Sequence, residues 1–248
     1  MFPIVHYYTN QIAYGQVPPL MVLGGLFPDL AVGTGMSRDE GHQMGAGFFE
    51  WCATQAPNML PLARGIISHG VLPYGVDYYA DEYWPGCEKG WCFDQGKPWI
   101  KRIASVTHLP QYLWWWKSHN FVEMSYELLT IDVYPFIGNK IITALADEAL
   151  LDHAATELSR YTGKDKKLIS AMFRKTPQIF SLKEVNPLSL AECQKNDFCR
   201  RHKVYDADVA GMAILLSDMT EALRPGYASF MTEMIKRVKE QLTIYNLQ

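Results

Sequence analysis

Apolar residues recur along this chain with the spacing of amphipathic helices, and strict alternation of apolar and polar residues is nearly absent. The segment "SRDEGHQMGAGFFEWCATQ" opens with Ser37 and Glu40, the sequence pattern of a capping box, and continues with apolar side chains about one turn apart. Residues 98–134 predict one or two long helices broken near Pro110. Residues 141–163 predict an amphipathic helix that ends at Gly163. The pattern predicts an all-α, multi-helix bundle.

The second half of the chain carries fewer histidines than the first half, and it contains further predicted helical segments. A second capping box is predicted from Ser189 to Glu192, and two further helical segments, "YDADVAGMAILLSDMTEALRPG" and "YASFMTEMIKRVKEQLTIY", follow it. Five of the seven histidines precede residue 120. We therefore place a boundary near residue 138, with a metal-binding helical domain at 1–138 and a helical C-terminal lobe at 139–248. One continuous domain is the alternative.

One segment, Pro73–Trp99, does not follow the helical pattern. It is rich in glycine, proline, aromatic and acidic residues, and it predicts a long ordered loop. Loops of this length in compact domains are usually functional or linkers. The aromatic side chains Tyr78, Tyr79, Tyr83 and Trp84 argue against a linker, and they either line a cleft or pack the loop.

Composition and charge restrict the classes of function. The chain has 248 residues, 48% of them hydrophobic, and a formal net charge of -3, so no polyanionic partner is indicated. The N-terminal residues lack a basic region and a small-residue cleavage site, and the apolar run that follows is shorter than a membrane span. We expect a cytoplasmic protein in which the five cysteines are reduced.

His119 and Glu123 lie four residues apart directly after three tryptophans, in a stretch that is otherwise apolar. Helix geometry places such residues on one face, one turn apart, where both can reach one metal ion. The spacing alone is weak evidence, because three of the seven histidines have an acidic residue four positions later and this spacing is therefore not specific to one site. Of the other two pairs, His153 with Glu157 lies in an ordinary amphipathic helix and is expected on its solvated face, and His202 with Asp206 spans a predicted helix break.

Other acidic and imidazole groups of the first half also lie in apolar surroundings. Asp29 follows the apolar run "GGLFP", His42 lies one turn into a capped helix, and His69 ends the helix "RGIISH". A single histidine in such a place is more often a hydrogen-bonded core residue than a ligand. Several buried polar groups without partners would cost several kcal/mol, and a divalent cation would satisfy them together.

The order of these groups resembles the zinc-dependent phospholipase C superfamily, whose all-helical fold fungal zinc nucleases share. That pattern is an early His, an Asp, a His, a His near a helix end, and a final His-x-x-x-Glu or His-x-x-x-Asp. "FPDL" is similar to the family's Pro-Asp-Leu segment, and "RGIISHG" to its Gly-x-x-Ser-His segment. The resemblance covers roughly residues 1–130. It implies the metal ligands His6, Asp29, His42, His69, Asp77, His119 and Glu123.

The chain also departs from the family pattern. The family has an aspartate four residues after the Ser-His, which bridges two metals, and this chain has Pro73 there. A further family histidine corresponds to Tyr79. Asp77, Asp81 and His108 are the nearby substitutes. The family's secreted members also use a processed N-terminal tryptophan, which this sequence lacks, so we expect one or two zinc ions rather than three.

The resemblance implies hydrolysis of a phosphate ester, lipid or small, by metal-activated water, with Asp29 as a ligand or as the residue that orients or deprotonates the water. Nucleic acid is not indicated, and the oligomeric state is open. The alternative is a degenerate, non-catalytic binding or scaffold protein of the same fold, in which His119 and Glu123 bond to each other without a metal.

Overall fold

The computed structural model describes residues 2–244, and the regular structure in this part of the chain is entirely helical. The described residues form thirteen α-helices and no strand, which confirms the predicted all-α class. The first seven helices are α1 (Pro3–Tyr14), α2 (Pro19–Ala31), α3 (Arg38–Gln43), α4 (Gly45–Gln55), α5 (Leu60–His69), α6 (Trp91–Gly96) and α7 (Ile100–Thr107). The remaining six are α8 (Gln111–Val133), α9 (Ile137–Leu145), α10 (Glu148–Thr162), α11 (Lys166–Ile179), α12 (Pro187–His202) and α13 (Val209–Ile244).

Three predicted helix ends agree with the structure. Ser37 caps α3 through a complete capping box with Glu40. The break near Pro110 separates α7 from α8, and Gly163 ends α10 in the left-handed conformation that favours glycine. Local capping chemistry therefore sets these boundaries.

Three other element predictions are wrong. Residues 141–163 are not one helix, because Asp147 caps a new helix, α10, through the backbone N–H of Leu150. The second capping box joins Asn186 to Ser189 instead of Ser189 to Glu192. The two C-terminal segments form one helix, α13, which continues through Pro225 because apolar side chains on both sides of it are buried.

The predicted loop from Pro73 to Trp99 is more structured than expected. Residues Tyr78–Glu82 form one wide helical turn, in which the backbone N–H of Tyr83 donates to the carbonyl of Tyr78 at 2.8 Å. Helix α6 and a single 3-10 turn, Lys97–Trp99, follow. The glycines and prolines separate these short elements instead of producing one irregular loop.

Two apolar cores hold the helices together, and each uses both halves of the chain. The α8–α13 core combines side chains of α7, α8, α12 and α13, including Phe121 and Met219. The α2–α5 core combines α1, α2, α4, α5, α9, α10 and α11, including Leu23 and Leu158. Each core contains buried residues from before and after residue 138, so the cores do not mark a domain boundary there. The two-domain description stays a prediction.

Helices α2 and α5 pack backbone to backbone at two glycines. A β-carbon on Gly24 would overlap the carbonyl of Leu62, and one on Gly65 would overlap the carbonyl of Met21. Only glycine permits so close an approach. The contact fixes the ends of α2 and α5, which carry Asp29 and His69, relative to each other.

Within the described residues, no single helix is long and apolar enough to cross a membrane. Helices α8 and α9 meet that criterion only as a pair, and they are bent by 103° at their junction.

Candidate metal centre

Two groups of metal-ligating side chains face one cavity. The first group is Asp29, His42, His69 and Asp77. The second group is Asp81, His119 and Glu123. In each group, one donor atom per residue lies within 4.8 Å of all the others. The structure thus brings together six of the seven predicted ligands and adds Asp81. Each group could hold a metal ion.

The first group joins four separate elements. Asp29 lies near the end of α2, His42 lies in α3, and His69 is the last residue of α5. The Nε2 atoms of His42 and His69 lie 3.1 and 3.3 Å from Oδ2 of Asp77, and 3.7 and 3.8 Å from Oδ1 of Asp29. His69 is fully buried, and Asp29 is partly exposed. Two imidazoles therefore point at two carboxylates from one side.

Backbone carbonyls fix the orientation of the three histidines in both groups. A carbonyl oxygen only accepts hydrogen bonds, so each Nδ1 carries the proton and each Nε2 is the acceptor nitrogen of its ring. Such a bond to the second ring nitrogen is the usual support of a metal-bound histidine. The bonds are His42 to Arg38 O at 2.8 Å, His69 to Gly25 O at 2.7 Å, and His119 to Trp116 O.

This orientation makes the first group unstable without a cation. A neutral imidazole would direct the lone pair of Nε2 at a carboxylate oxygen, so either a proton or a metal ion has to lie between them. Burial lowers the pKa of His42, but its hydrogen bonds to Asp29 and Asp77 more than offset this and raise the pKa to about 9. For Asp77 the effect of burial has the opposite sign, because it raises the pKa of a carboxyl group. The neighbouring His69 and His42 nevertheless hold the pKa of Asp77 well below its usual range. In the absence of metal, a proton takes the cation's place.

Asp77 reaches the site because the segment after α5 folds back on the end of that helix. Gly75 donates its backbone N–H to the carbonyl of Gly70 at 3.0 Å, and a β-carbon on Gly75 would overlap the carbonyl oxygens at the end of α5. The carboxylate that the resemblance expects at Pro73 is thus supplied four residues later. His108, the other substitute considered, is exposed and lies 3.2 Å from Asp206, outside both groups.

His6 lies behind the first group and does not belong to its set of four donors. Its ring stacks on that of His69, with centroids 3.6 Å apart, and its Nε2 lies 3.5 Å from Oδ1 of Asp77. Burial and the neighbouring His69 lower the pKa of His6 well below its usual value. A direct role of His6 as a ligand stays a prediction, while its contact supports both His69 and Asp77.

The second group lies along α8 and the wide turn after Asp77. His119 and Glu123 do not bond to each other, because the amide of Asn120 donates to Nε2 of His119 at 3.2 Å and to Oε2 of Glu123 at 3.1 Å. Burial lowers the pKa of His119 to about 4, so its imidazole is neutral at physiological pH. A neutral imidazole is the form that binds metal.

Asp81 completes the second group from the opposite side. Burial and the nearby Glu123 raise the pKa of Asp81 well above its usual value, because two carboxylates face each other. Its Oδ1 is buried and accepts no hydrogen bond from the described residues, whereas its Oδ2 accepts one from Arg38 at 3.1 Å. A cation between Asp81 and Glu123 would satisfy this oxygen and remove the repulsion.

The donors line a cavity of about 190 Å³. Asp29, His42, Asp77, Asp81, His119 and Glu123 form its floor. A second wall comes from α12, in the half of the chain to which sequence reasoning assigned no role, and includes Arg200 and Arg201. No sequence signal placed α12 here, because cations in the last turn of a helix are common and normally stabilise the helix end.

The aromatic residues of the Pro73–Trp99 segment do not line this cavity. Tyr79 is buried in the α8–α13 core, and Trp84 packs against Trp91 and Phe230 of that core. Of the two expectations, that these side chains line a cleft or that they pack the segment, packing describes Tyr79 and Trp84. Of the three consecutive tryptophans, Trp116 lines the cavity.

In comparisons with protein-family models, with curated proteins and with solved structures, no match to this chain was found. The functional interpretation therefore depends on the donor atoms themselves. Imidazole nitrogen and carboxylate oxygen are the donors that Zn²⁺ and neighbouring divalent metals accept. The mixed donor sets, the fixed tautomers and the unsatisfied oxygen of Asp81 fit such ions.

Proposed function

We propose that this protein is a zinc-dependent or similar divalent-metal-dependent hydrolase of a phosphate ester, with a phospholipase C-like phosphodiesterase as the specific form. The observation that carries the proposal is the pair of His and carboxylate donor groups on the floor of a single cavity. Paired metal sites are a recurrent solution for in-line displacement at phosphorus. The order of the ligands along the chain, which resembles the zinc phospholipase C pattern, supports the same reaction class.

Divalent ions bound at these groups would supply a nucleophilic water at neutral pH and would neutralise charge on the phosphoryl oxygens. Asp29, His42, His69 and Asp77 would hold one ion, and Asp81, His119 and Glu123 the other. The backbone carbonyls behind the histidines keep each Nε2 directed at its ion. These residues bind and orient; they do not themselves form covalent bonds to the substrate.

Asp29 is the residue best placed to orient the attacking water, because it is the partly exposed carboxylate of the first group and lines the cavity. Burial raises its pKa, but His69 and the hydrogen bond from His42 lower it below the usual value. So acidic a carboxyl group is a weak base. We therefore assign Asp29 the role of metal ligand and hydrogen-bond acceptor for the water, and not that of the main proton acceptor.

Arg38 adds a fixed positive charge beside the second group. Its guanidinium lines the cavity and is held by Asp81 at 3.1 Å and by Glu82 at 3.3 Å. An arginine clamp of this kind stabilises the charge that accumulates on a phosphoryl group during transfer.

The first experiment measures the metal content of the purified protein by inductively coupled plasma mass spectrometry, together with hydrolysis of bis(p-nitrophenyl) phosphate. The test variant is His119→Ala/Glu123→Ala. The matched control is His153→Ala/Glu157→Ala, which removes a pair of the same types and spacing from α10, where His153 is exposed and Glu157 pairs with Arg160. We expect one or two zinc-like ions per chain, about one fewer in the test variant, and hydrolysis lowered at least about 100-fold.

The control should keep both metal and activity. A protein without metal, even after incubation with zinc at neutral pH, would exclude the hydrolase and leave the non-catalytic scaffold. Metal without any phosphoesterase activity would limit the proposal to metal binding.

A further inference from the structure

The wall of the cavity that faces away from the first group carries an excess of positive charge. Three cations, Lys117, Arg200 and Arg201, share one carboxylate there, that of Asp197. Arg200 and Arg201 lie 2.8 and 2.7 Å from Oδ1 of Asp197. We call these four residues the basic wall. Two of its positive charges are without a counter-charge among its members.

Lys117 is the member that a structural role explains least. Its side chain is 8% exposed, yet its ammonium lies 3.7 Å from the only carboxylate with which it forms an ion pair among the described residues, Oδ2 of Asp197. A buried ammonium normally has a close partner, since removal from water is costly. The arginines in the last turn of α12 stabilise the end of their own helix, whereas Lys117 comes from a different helix, α8.

Lys117 is also close to the metal donors along α8. Although Lys117 and His119 project from different faces of α8, about 200° apart around its axis, Lys117 lines the same cavity of about 190 Å³ as His119 and Glu123. An anionic group at the basic wall would therefore lie within the length of one small molecule from a phosphoryl group at the donor groups.

Metal binding would change the net charge of the cavity, because the ions would neutralise the acidic floor and leave the basic wall uncompensated. Asp29, Asp77, Asp81 and Glu123 carry up to four negative charges, which two divalent ions would balance. The basic wall and Arg38 then leave the cavity positive. Such a cavity attracts a ligand with more than one negative charge and disfavours a zwitterionic or neutral one.

We propose that Lys117, Arg200 and Arg201 form an anion subsite, so that the preferred substrate is a small phosphate ester carrying a second anionic group, a phosphate or a carboxylate. This inference rests on the proposed function and specifies its substrate class. A phospholipid with a zwitterionic head group does not fit it. The residues act in binding: they contact the second anion and take no part in the reaction at phosphorus.

The test compares three p-nitrophenyl phosphodiesters whose second alcohol is ethylene glycol, glycolate or ethylene glycol monophosphate. All three release p-nitrophenol from the same kind of diester, and they differ in the second group, which is neutral, a carboxylate or a phosphate. The test variant is Arg200→Gln/Arg201→Gln, whose side chains are 56% and 44% exposed, so the fold should tolerate the change. The control is Arg102→Gln/Arg224→Gln, which removes equal charge from exposed ion pairs elsewhere.

We expect the wild-type protein to prefer the two anionic diesters, and the test variant to lose at least about tenfold in kcat/KM for them, mainly through KM. The neutral diester should change less than about twofold, and metal content should not change. The larger loss, for the phosphate or for the carboxylate, identifies the natural anion. Equal losses for all three diesters, or no loss for any, would overturn the subsite.

If the wild-type protein hydrolyses none of the three, the proposed function fails, and the subsite is judged by binding. Sulfate titrated into the same proteins in a calorimeter then serves as the probe. Binding at least about tenfold weaker in the arginine variant than in the control would support the basic wall as an anion site. Equal binding in both variants, or no binding to the wild-type protein, would refute it.

Discussion

The orientation of single imidazole rings decides what this site can bind. Because backbone carbonyls hold the protonated Nδ1 atoms of His42, His69 and His119, their Nε2 atoms are acceptors, which face carboxylates in the first group and the Asn120 amide in the second. A set of acceptors around one space selects a cation. Sequence spacing indicated which residues have suitable donor atoms, but it did not indicate this shared orientation, since the carbonyls of Gly25 and Arg38 carry no sequence signal.

A residue-scale prediction concerns the metal-free protein and pH. The pKa of His42 is about 9 in the folded protein against 6.5 for the ordinary side chain. A raised pKa means that the stabilisation is fully present below pH 6.5 and is lost as pH rises through 9. We expect the free energy of unfolding of the metal-free protein to fall by up to about 3 kcal/mol over this range.

Chemical denaturation in the presence of a chelator would measure this fall, with His42→Gln as the comparison. The variant should show a markedly shallower pH dependence between pH 6.5 and 9. An identical slope in both proteins would show that His42 is not protonated in the folded, metal-free state. With metal present the dependence should reverse, because metal affinity increases as the imidazoles lose their protons.

Two contacts between helices hold the donors in place, and the residues that make them are not proposed metal ligands. The carboxylate of Glu127, on α8, accepts the backbone N–H groups of Ile4 and Val5 at 3.0 and 2.8 Å and so caps the start of α1. The glycines of the α2–α5 contact bring Asp29 and His69 together. The sequence predicted helices at these places. It could not indicate which glycine or glutamate would contact a second helix, because the two contacting segments are far apart along the chain.

Replacing Glu127 with alanine should destabilise the protein by about 2–3 kcal/mol, because two N–H groups in the first turn of α1 would lose their buried acceptors. The shift of α1 should also move His6, which stacks on His69. Thermal unfolding and zinc affinity would both be measured. Glu127→Gln keeps one acceptor oxygen and should have a smaller effect on each. Unchanged stability in the alanine variant would show that this cap is dispensable.

Replacing Gly65 with alanine should separate α2 from α5 and cost about 2–3 kcal/mol of stability. Zinc affinity should fall as well, since Asp29 and His69 move apart. Gly226→Ala is the matched control: Gly226 lies in α13 with open space around its α-carbon, so the same change should stabilise the protein by about 0.5–1 kcal/mol. Similar effects of the two substitutions on denaturation midpoints would contradict the close helix contact.

At the scale of the whole molecule, each of the two apolar cores uses side chains from both halves of the chain. Composition and periodicity were sufficient to predict the helical class and the approximate position of most helices. The resemblance to the zinc phospholipase C ligand order, with Asp77 as a substitute acid, named six of the seven donors that the structure groups together, because ligands that lie on different helices still leave a recognisable order along the chain. Asp81 was named only as a substitute acid and α12 was given no role, for the same physical reason: their proximity to the site depends on the folding of distant segments.

The shared cores predict that a fragment of residues 1–138 will not fold alone. Such a fragment contains every proposed metal donor, but it lacks α12 and α13 and therefore half of the buried side chains of the α8–α13 core. We expect weak near-ultraviolet circular dichroism, no cooperative unfolding transition and no zinc binding of the kind that the intact protein has. A fragment that unfolds cooperatively and binds one zinc-like ion would instead support an independent metal-binding domain.

The position of α13 has a consequence for how the protein is made. All seven donors precede residue 124, whereas α13, which completes the core beneath α8, is synthesised after them. The nascent chain thus carries its histidines and aspartates for most of its synthesis without the geometry that makes them a site. The complete site can therefore form only after α12 and α13 have been synthesised, and in the metal-free protein a proton on His42 takes the place of the ion.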